Sequence, residues 1–153
     1  MTDNEDTTLT LTRLFDASPD QLFAAWMQRE QFQAWIGPEG MQCEVPVLEA
    51  KVGGRYRIIM NLSDGNTIPV SGRFKVIDAP TKIVFSWSWE NDPSKQSLIT
   101  LTFVAKGERT ELTLRQQGLG TIDNRDAHGQ GWNSALNKLE HYLTAQPAVA
   151  RAG

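Results

Sequence analysis

Few side chains in this sequence are of the kinds that carry out catalysis, and their spacing matches no catalytic or metal-binding motif. The chain has one cysteine and two histidines. Cys43 lies in a predicted strand beside Glu44, whose carboxylate would tend to raise the pKa of the thiol. Two histidines and one distant cysteine show no zinc-ligand spacing, and the glycine pairs lack the context of a phosphate-binding loop. The sequence therefore predicts no catalytic residue, no metal site and no cofactor.

Two polar side chains are nevertheless candidates for ligand contacts. If the last helix begins near Asp123, its apolar face includes His128, one turn before Trp132. There the imidazole would either hydrogen-bond or protonate a ligand, or be paired with a backbone carbonyl. Arg13 shares the inner face of the first predicted strand, where a guanidinium requires an internal salt bridge or an anionic ligand. We favour the paired state for both residues and keep both alternatives.

One long C-terminal helix is the element around which the chain is organised. Between residues 128 and 143, helical spacing places a set of apolar side chains on one arc. These side chains belong to Trp132, Ala135, Leu136, Leu139, Tyr142 and Leu143. Ser134, Lys138 and His141 fall on the opposite side of the helix, which we expect to be exposed. We expect the apolar arc to pack against a sheet.

Nearly all of the remaining chain reads as strand. Ser18, Pro19 and Gln21 form a capping box that starts the first of two short helices after the first strand. Six alternating strands follow, separated by turn signals such as the Asp64-Gly65 pair. The predicted fold is α+β, with a curved antiparallel sheet of about seven strands that wraps around the long helix.

Length, charge and hydropathy limit the classes of function. A chain of 153 residues is expected to form one domain over residues 1–153, with an ordered core at about 7–145, a disordered polar lead-in before it and a frayed tail after it. The net charge of −3 argues against nucleic-acid binding. The sequence contains no membrane-span candidate, and its polar N-terminus with a single cysteine predicts a cytoplasmic protein.

Several motifs together resemble the bacterial branch of the heat-shock protein 90 ATPase activator family. They are residues 35–41, 53–57 and 70–72, and Gly131-Trp132 followed by the apolar positions of the last helix. That family belongs to the START-like, or SRPBCC, helix-grip superfamily. The resemblance implies a helix-grip fold with a deep apolar cavity between the sheet and the C-terminal helix. It also implies relatives that bind lipids, sterols or polyketides, and a eukaryotic relative that stimulates the heat-shock chaperone.

We therefore expect a binding protein for a small apolar molecule. The predicted ligand-binding residues face the space between sheet and helix, with two polar candidates among them: Arg13, Tyr56, Ile58, Met60, Phe74, Phe85, Trp87, His128, Trp132 and Leu136. One alternative is a cyclase- or hydrolase-type enzyme that uses His128 or Arg13 in the same cavity. Another is a chaperone-associated interaction domain. The edge strands of an open sheet also make a homodimer plausible.

Overall fold

A computed structural model of the chain describes residues 7–92 and 95–145. The predicted lead-in and the tail after Ala145 lie outside the described residues. The elements follow the predicted order of strand, two helices, six strands and a long helix. Their bounds are β1 (Leu9–Phe15), α1 (Pro19–Met27), α2 (Arg29–Trp35), β2 (Gln42–Leu48), β3 (Arg55–Asn61), β4 (Thr67–Asp78), β5 (Lys82–Trp89), β6 (Gln96–Lys106), β7 (Arg109–Gln117) and α3 (Ile122–Thr144).

The strands form one antiparallel sheet of seven strands in the order β1-β7-β6-β5-β4-β3-β2. The register shifts within β2, between Glu44 and Val47, and within β4, between Phe74 and Val76. Such bulges bend a strand and increase its twist, which curves the sheet around α3. The predicted helix-grip fold is confirmed.

The apolar face of α3 packs into the concave side of the sheet, as the helical spacing predicted. Five of the six residues of the predicted arc are at most 4% exposed, and the sixth, Tyr142, is partly buried. In the described part of the chain, no helix has the length and apolar character needed to span a membrane.

The two ends that the sequence marked most clearly, at the starts of α1 and α3, have side-chain caps. The Ser18 hydroxyl accepts a hydrogen bond from the Gln21 amide at 3.2 Å, and the Gln21 side chain accepts one from the Ser18 amide at 3.1 Å. The N-cap of α3 is Thr121 and not Asp123, because the Thr121 hydroxyl accepts from the Asn124 amide at 3.0 Å. Asp123 instead lies in the first turn, where its charge complements the helix dipole.

Candidate functional site

A largely apolar cavity of about 380 Å³ lies between α3, the loop at residues 36–41 and neighbouring ends of β3, β4 and β5. This volume falls in the range of small-molecule sites. None of its described lining residues is an aspartate, glutamate, lysine or arginine. The lining residues are Ile36, Gly37, Pro38, Met41, Met60, Ile68, Trp87, Trp89, Asn124, Ala127, His128, Gly131, Trp132 and Ala135.

Four rings in tilted or edge-to-face contact form one side of this cavity, which we call the aromatic wall: Trp132, Trp87, Trp89 and His128. Neighbouring ring centroids are 5.2 Å apart between Trp132 and Trp87 and 5.9 Å between Trp87 and Trp89. Trp89 and His128 are separated by 5.8 Å. These separations are typical of favourable aromatic pairs. The wall therefore presents a continuous apolar surface that joins β5 to α3.

Trp132 is held in place by a buried polar network. Its indole N–H donates to Oε1 of Gln116 at 2.9 Å, and Nε2 of Gln116 donates to the Ser97 hydroxyl oxygen at 2.8 Å. Gln116 is fully buried and Ser97 nearly so. A satisfied polar network in a low-dielectric interior restricts its members to one arrangement. The Trp132 ring, at one end of the aromatic wall, is therefore preorganised.

His128 is the one histidine at the cavity, and its hydrogen bonding defines its chemistry. Its Nδ1 lies 2.9 Å from the Asn124 carbonyl oxygen. Because a carbonyl can only accept, Nδ1 carries the proton, and the neutral ring presents Nε2 as an acceptor. Burial lowers the pKa of His128, and the hydrogen bond to the Asn124 carbonyl offsets part of this decrease. The imidazole is therefore neutral at neutral pH, with the predicted backbone pairing at Nδ1.

The 36–41 loop closes the cavity and is tied to α3 by polar side chains. Nζ of Lys138 donates to the carbonyl oxygens of Ile36 at 3.2 Å and Met41 at 3.1 Å, and more weakly to that of Pro38 at 3.5 Å. The Glu39 amide donates to the hydroxyl of Ser134 at 2.6 Å. The prediction that Lys138 is exposed was therefore wrong, because the loop packs over this side chain, whereas His141 on the same side of the helix is exposed.

The backbone conformation of the 36–41 loop requires glycine at position 37. Its φ is 92°, in the left-handed region that residues with a side chain rarely adopt. A Cβ at this position would also collide with the Cys43 side chain. Cys43 itself is buried, and burial raises the pKa of its thiol. The thiol is therefore a packing group beneath the loop and not an activated nucleophile.

The structure divides the ten predicted ligand-binding residues between different places. Met60, Trp87, His128 and Trp132 line the cavity. A second group, Tyr56, Phe74 and Phe85, packs at the other end of the sheet against Trp26, Met27 and Phe32, around a gap of about 10 Å³. That gap holds at most one water molecule. Ile58 and Leu136 are buried in the core between the sheet and α3, at 0% and 2% exposure.

Arg13 lies on the inner face of β1 but is not among the residues that line the cavity. Its Nη1 donates to Oδ1 of Asn137 at 2.7 Å and lies 3.6 Å from a carboxylate oxygen of Glu140. The guanidinium thus takes the paired state that we favoured, with partners on α3. Its side chain is 23% exposed, so it reaches solvent at the edge of the sheet.

Most of the other lining residues were not identified from the sequence as ligand contacts. The residues from the 36–41 loop could have been proposed from their Gly-Pro motif, which marks an irregular connection between α2 and β2. Asn124, Gly131 and Ala135 extend the face of α3 that includes His128, at helical spacings of three or four residues. In the described residues, no group of three or more histidines, cysteines or carboxylates converges on a possible metal site.

Comparison with known proteins agrees with this fold. A family model for the activator of Hsp90 ATPase homolog 1-like protein matches residues 16–144. The human activator of 90 kDa heat shock protein ATPase homolog 1 is 30% identical over 125 residues, which cover 81% of this chain and 33% of that protein. Its mouse counterpart is 29% identical over 125 residues, which cover 81% of this chain and 33% of that protein. The chain therefore spans about a third of the length of these relatives.

Solved bacterial structures match over nearly their whole length. The AHSA1 protein from Silicibacter pomeroyi has a TM-score of 0.79 and 28% identity, with 90% of this chain and 97% of that chain covered. A protein from Chromobacterium violaceum has a TM-score of 0.82 and 22% identity, with 88% and 95% covered, and shows the fold alone. Because the family model matches most of its residues, the chain belongs to the activator of Hsp90 ATPase homolog 1-like family.

Proposed function

We propose that this protein binds a small apolar molecule in the cavity between α3, the 36–41 loop and strands β3 to β5. The observation that carries the proposal is the cavity itself, about 380 Å³ of space bordered mainly by apolar and aromatic side chains. Transfer of an apolar molecule from water to such a surface is favourable by about 25 cal/mol per Å² removed from water. The few polar groups at its border would orient the molecule.

Two features indicate that the cavity is a preformed binding site and not a packing defect. The two end rings of the aromatic wall are fixed by hydrogen bonds within the protein, Trp132 to Gln116 and His128 to the Asn124 carbonyl. The 36–41 loop is likewise fixed to α3 through Lys138 and Ser134. A preformed site loses less conformational entropy when it binds a ligand than one that must first become ordered.

Fluorescence titration with N-phenyl-1-naphthylamine, a neutral apolar dye that brightens in apolar surroundings, tests the proposal. Gly131 offers the blocking variant, because it lines the cavity and a Cβ built on it would meet no atom within 4 Å. Gly131→Leu should therefore place an isobutyl group in the cavity, occupy part of the space that the dye needs, and lower dye affinity about tenfold. Gly131→Ala is the matched control and should still bind. No dye binding by the wild type, or equal binding by Gly131→Leu, would contradict the proposal.

A second candidate function is supported by the human relative, which is named as an activator of the 90 kDa heat shock protein ATPase. We propose that this chain also associates with a chaperone of that kind, on the strength of 30% identity over 125 residues. The test is the ATPase rate of a purified 90 kDa heat shock protein from a bacterium, with and without an excess of this chain. An unchanged rate together with no co-sedimentation of the two proteins would argue against it.

A further inference from the structure

Two buried polar atoms belong to side chains of the aromatic wall and lack a protein partner among the described residues. They are Nε2 of His128 and Nε1 of Trp87. A buried polar group without a partner costs about 1–3 kcal/mol, and such groups are uncommon in folded proteins. A third atom of this kind, Nε1 of Trp26, borders only the 10 Å³ gap in the core, where no ligand fits. The cavity is therefore where an occupant could supply partners.

The two atoms, both on side chains that line the cavity, have opposite hydrogen-bonding character. Nδ1 of His128 is committed to the Asn124 carbonyl, so Nε2 can only accept. The indole N–H of Trp87 can only donate. A ligand that satisfies both must offer a donor to His128 and an acceptor to Trp87. A hydroxyl-bearing molecule offers both functions, whereas a carboxylate offers only acceptors.

The charge of the lining residues points the same way. No cationic side chain is among the described residues that line the cavity, so a bound carboxylate would be buried without a counter-ion, which is costly. Burial lowers the pKa of His128, so the ring does not provide that positive charge at neutral pH. An anionic ligand is therefore disfavoured for two reasons: its charge would lack a counter-ion, and it has no donor for His128.

We propose that the cavity selects a neutral hydroxylated molecule, a phenol or alcohol on an apolar body, whose O–H donates to Nε2 of His128 while a ligand oxygen accepts from Nε1 of Trp87. This inference rests on the proposed binding function and adds the chemical class of the ligand. His128 acts as a specificity-determining acceptor at the end of the aromatic wall, and Trp87 orients the ligand oxygen.

Three probes with the same ring system test the inference: 2-naphthol, 2-methoxynaphthalene and 2-naphthoate. Each displaces N-phenyl-1-naphthylamine from the wild type at neutral pH. We expect 2-naphthol to bind about 5- to 10-fold more tightly than 2-methoxynaphthalene, which accepts but cannot donate, because one net hydrogen bond is worth about 1 kcal/mol. We expect 2-naphthoate to bind most weakly.

Variants assign the preference to His128. In His128→Leu, the 2-naphthol and 2-methoxynaphthalene affinities, measured directly by calorimetry, should become equal, whereas His128→Gln, which keeps an acceptor oxygen, should recover part of the preference. The matched control is His141→Leu, because His141 is the other histidine, exposed on α3, and this change should leave the preference intact. The comparison of probes in the wild type requires no variant to fold.

The outcomes separate the inference from the function on which it rests. If the dye binds the wild type but 2-naphthol and 2-methoxynaphthalene displace it equally, the hydroxyl preference is wrong and the apolar binding function stands. Tightest binding by 2-naphthoate, or an unchanged preference in His128→Leu, would also overturn the inference alone. Failure of the dye to bind the wild type would overturn both.

Discussion

Replacing Lys138 by methionine should destabilise the protein measurably, although the residue lies on the polar side of α3. Its ammonium group donates to the carbonyl oxygens of Ile36 and Met41 at 3.2 and 3.1 Å, with a weaker third contact to Pro38 at 3.5 Å. The Ile36 carbonyl follows the last turn of α2, where a positive charge also complements the helix dipole. The substitution keeps the aliphatic stem and removes only the charge and donors.

The expected magnitude follows from these contacts. A hydrogen bond to a charged group contributes about 1.5–3 kcal/mol in favourable cases, and two of the three have good lengths. Burial lowers the pKa of Lys138, so desolvation of the ammonium offsets part of the gain. Ser134 continues to hold the loop through the Glu39 amide. We therefore expect Lys138→Met to lower the free energy of unfolding by about 1–3 kcal/mol.

Urea unfolding followed by tryptophan fluorescence measures this change, and Lys106→Met is the matched control. Lys106 is exposed at the end of β6, so its loss should alter stability by no more than about 0.5 kcal/mol. Because the 36–41 loop closes the cavity, Lys138→Met should also weaken dye binding, whereas Lys106→Met should not. Equal unfolding midpoints for the two variants would refute the assignment of Lys138 as a support for the loop.

Four further predictions concern α3. Leu139→Ala should lower the free energy of unfolding by about 2–5 kcal/mol in urea melts, because this fully buried side chain fills space between the helix and the sheet. Gly131→Ala should raise it by about 0.5–1 kcal/mol, since alanine favours the helix and the added methyl group enters open space. Gly129→Ala should raise the free energy of unfolding by less in the same urea melts, because its Cβ would lie 3.2 Å from Cδ1 of Leu9. The fourth prediction is that the free energy of unfolding falls as the pH drops below about 6.5, the ordinary pKa of histidine. Burial lowers the pKa of His128 in the folded chain, so the unfolded chain takes up the proton first. Urea midpoints measured from roughly pH 7 to 5 should therefore decline less in His128→Leu than in the wild type.

Each of these predictions has an outcome that would contradict it. A loss well below about 2 kcal/mol in Leu139→Ala would mean that the surrounding core collapses into the gap. Equal effects of alanine at Gly129 and Gly131 would indicate that α3 does not approach β1 as closely as the Leu9 distance implies. The same pH dependence in the wild type and in His128→Leu would show that carboxylates, and not this imidazole, control stability in that range.

The local signals in the sequence were enough for the elements and their order. The Ser18 capping box starts α1 where it was predicted, and the apolar arc of α3 faces the sheet. Such patterns depend on neighbouring residues in one element, so they can be derived from spacing alone. The start of α3 was placed too late because Thr121 and Asp123 are both good N-caps, and only the observed hydrogen bond to Asn124 distinguishes them.

Tertiary structure was needed to separate the cavity from the core. Tyr56 and Met60 alternate on the same face of β3, so strand spacing treats them alike. Tyr56 is covered by side chains of α1 and α2, whereas Met60 lies at the end of the sheet where the strands, the 36–41 loop and α3 leave a cavity between them. Whether a position on this face of β3 is packed in the core or borders the cavity therefore depends on segments that are distant in sequence.

The sequence by itself determined the family resemblance, the sheet and the buried face of α3, because these depend on periodicity and on local capping groups. Only the tertiary structure decided what covers the other face of that helix. A helical wheel shows that Lys138 lies opposite Leu136, but the carbonyls that it binds belong to a loop about one hundred residues earlier. Likewise, the wheel places His128 near Trp132, while the commitment of Nδ1 to Asn124 and the acceptor left at Nε2 follow from atomic positions.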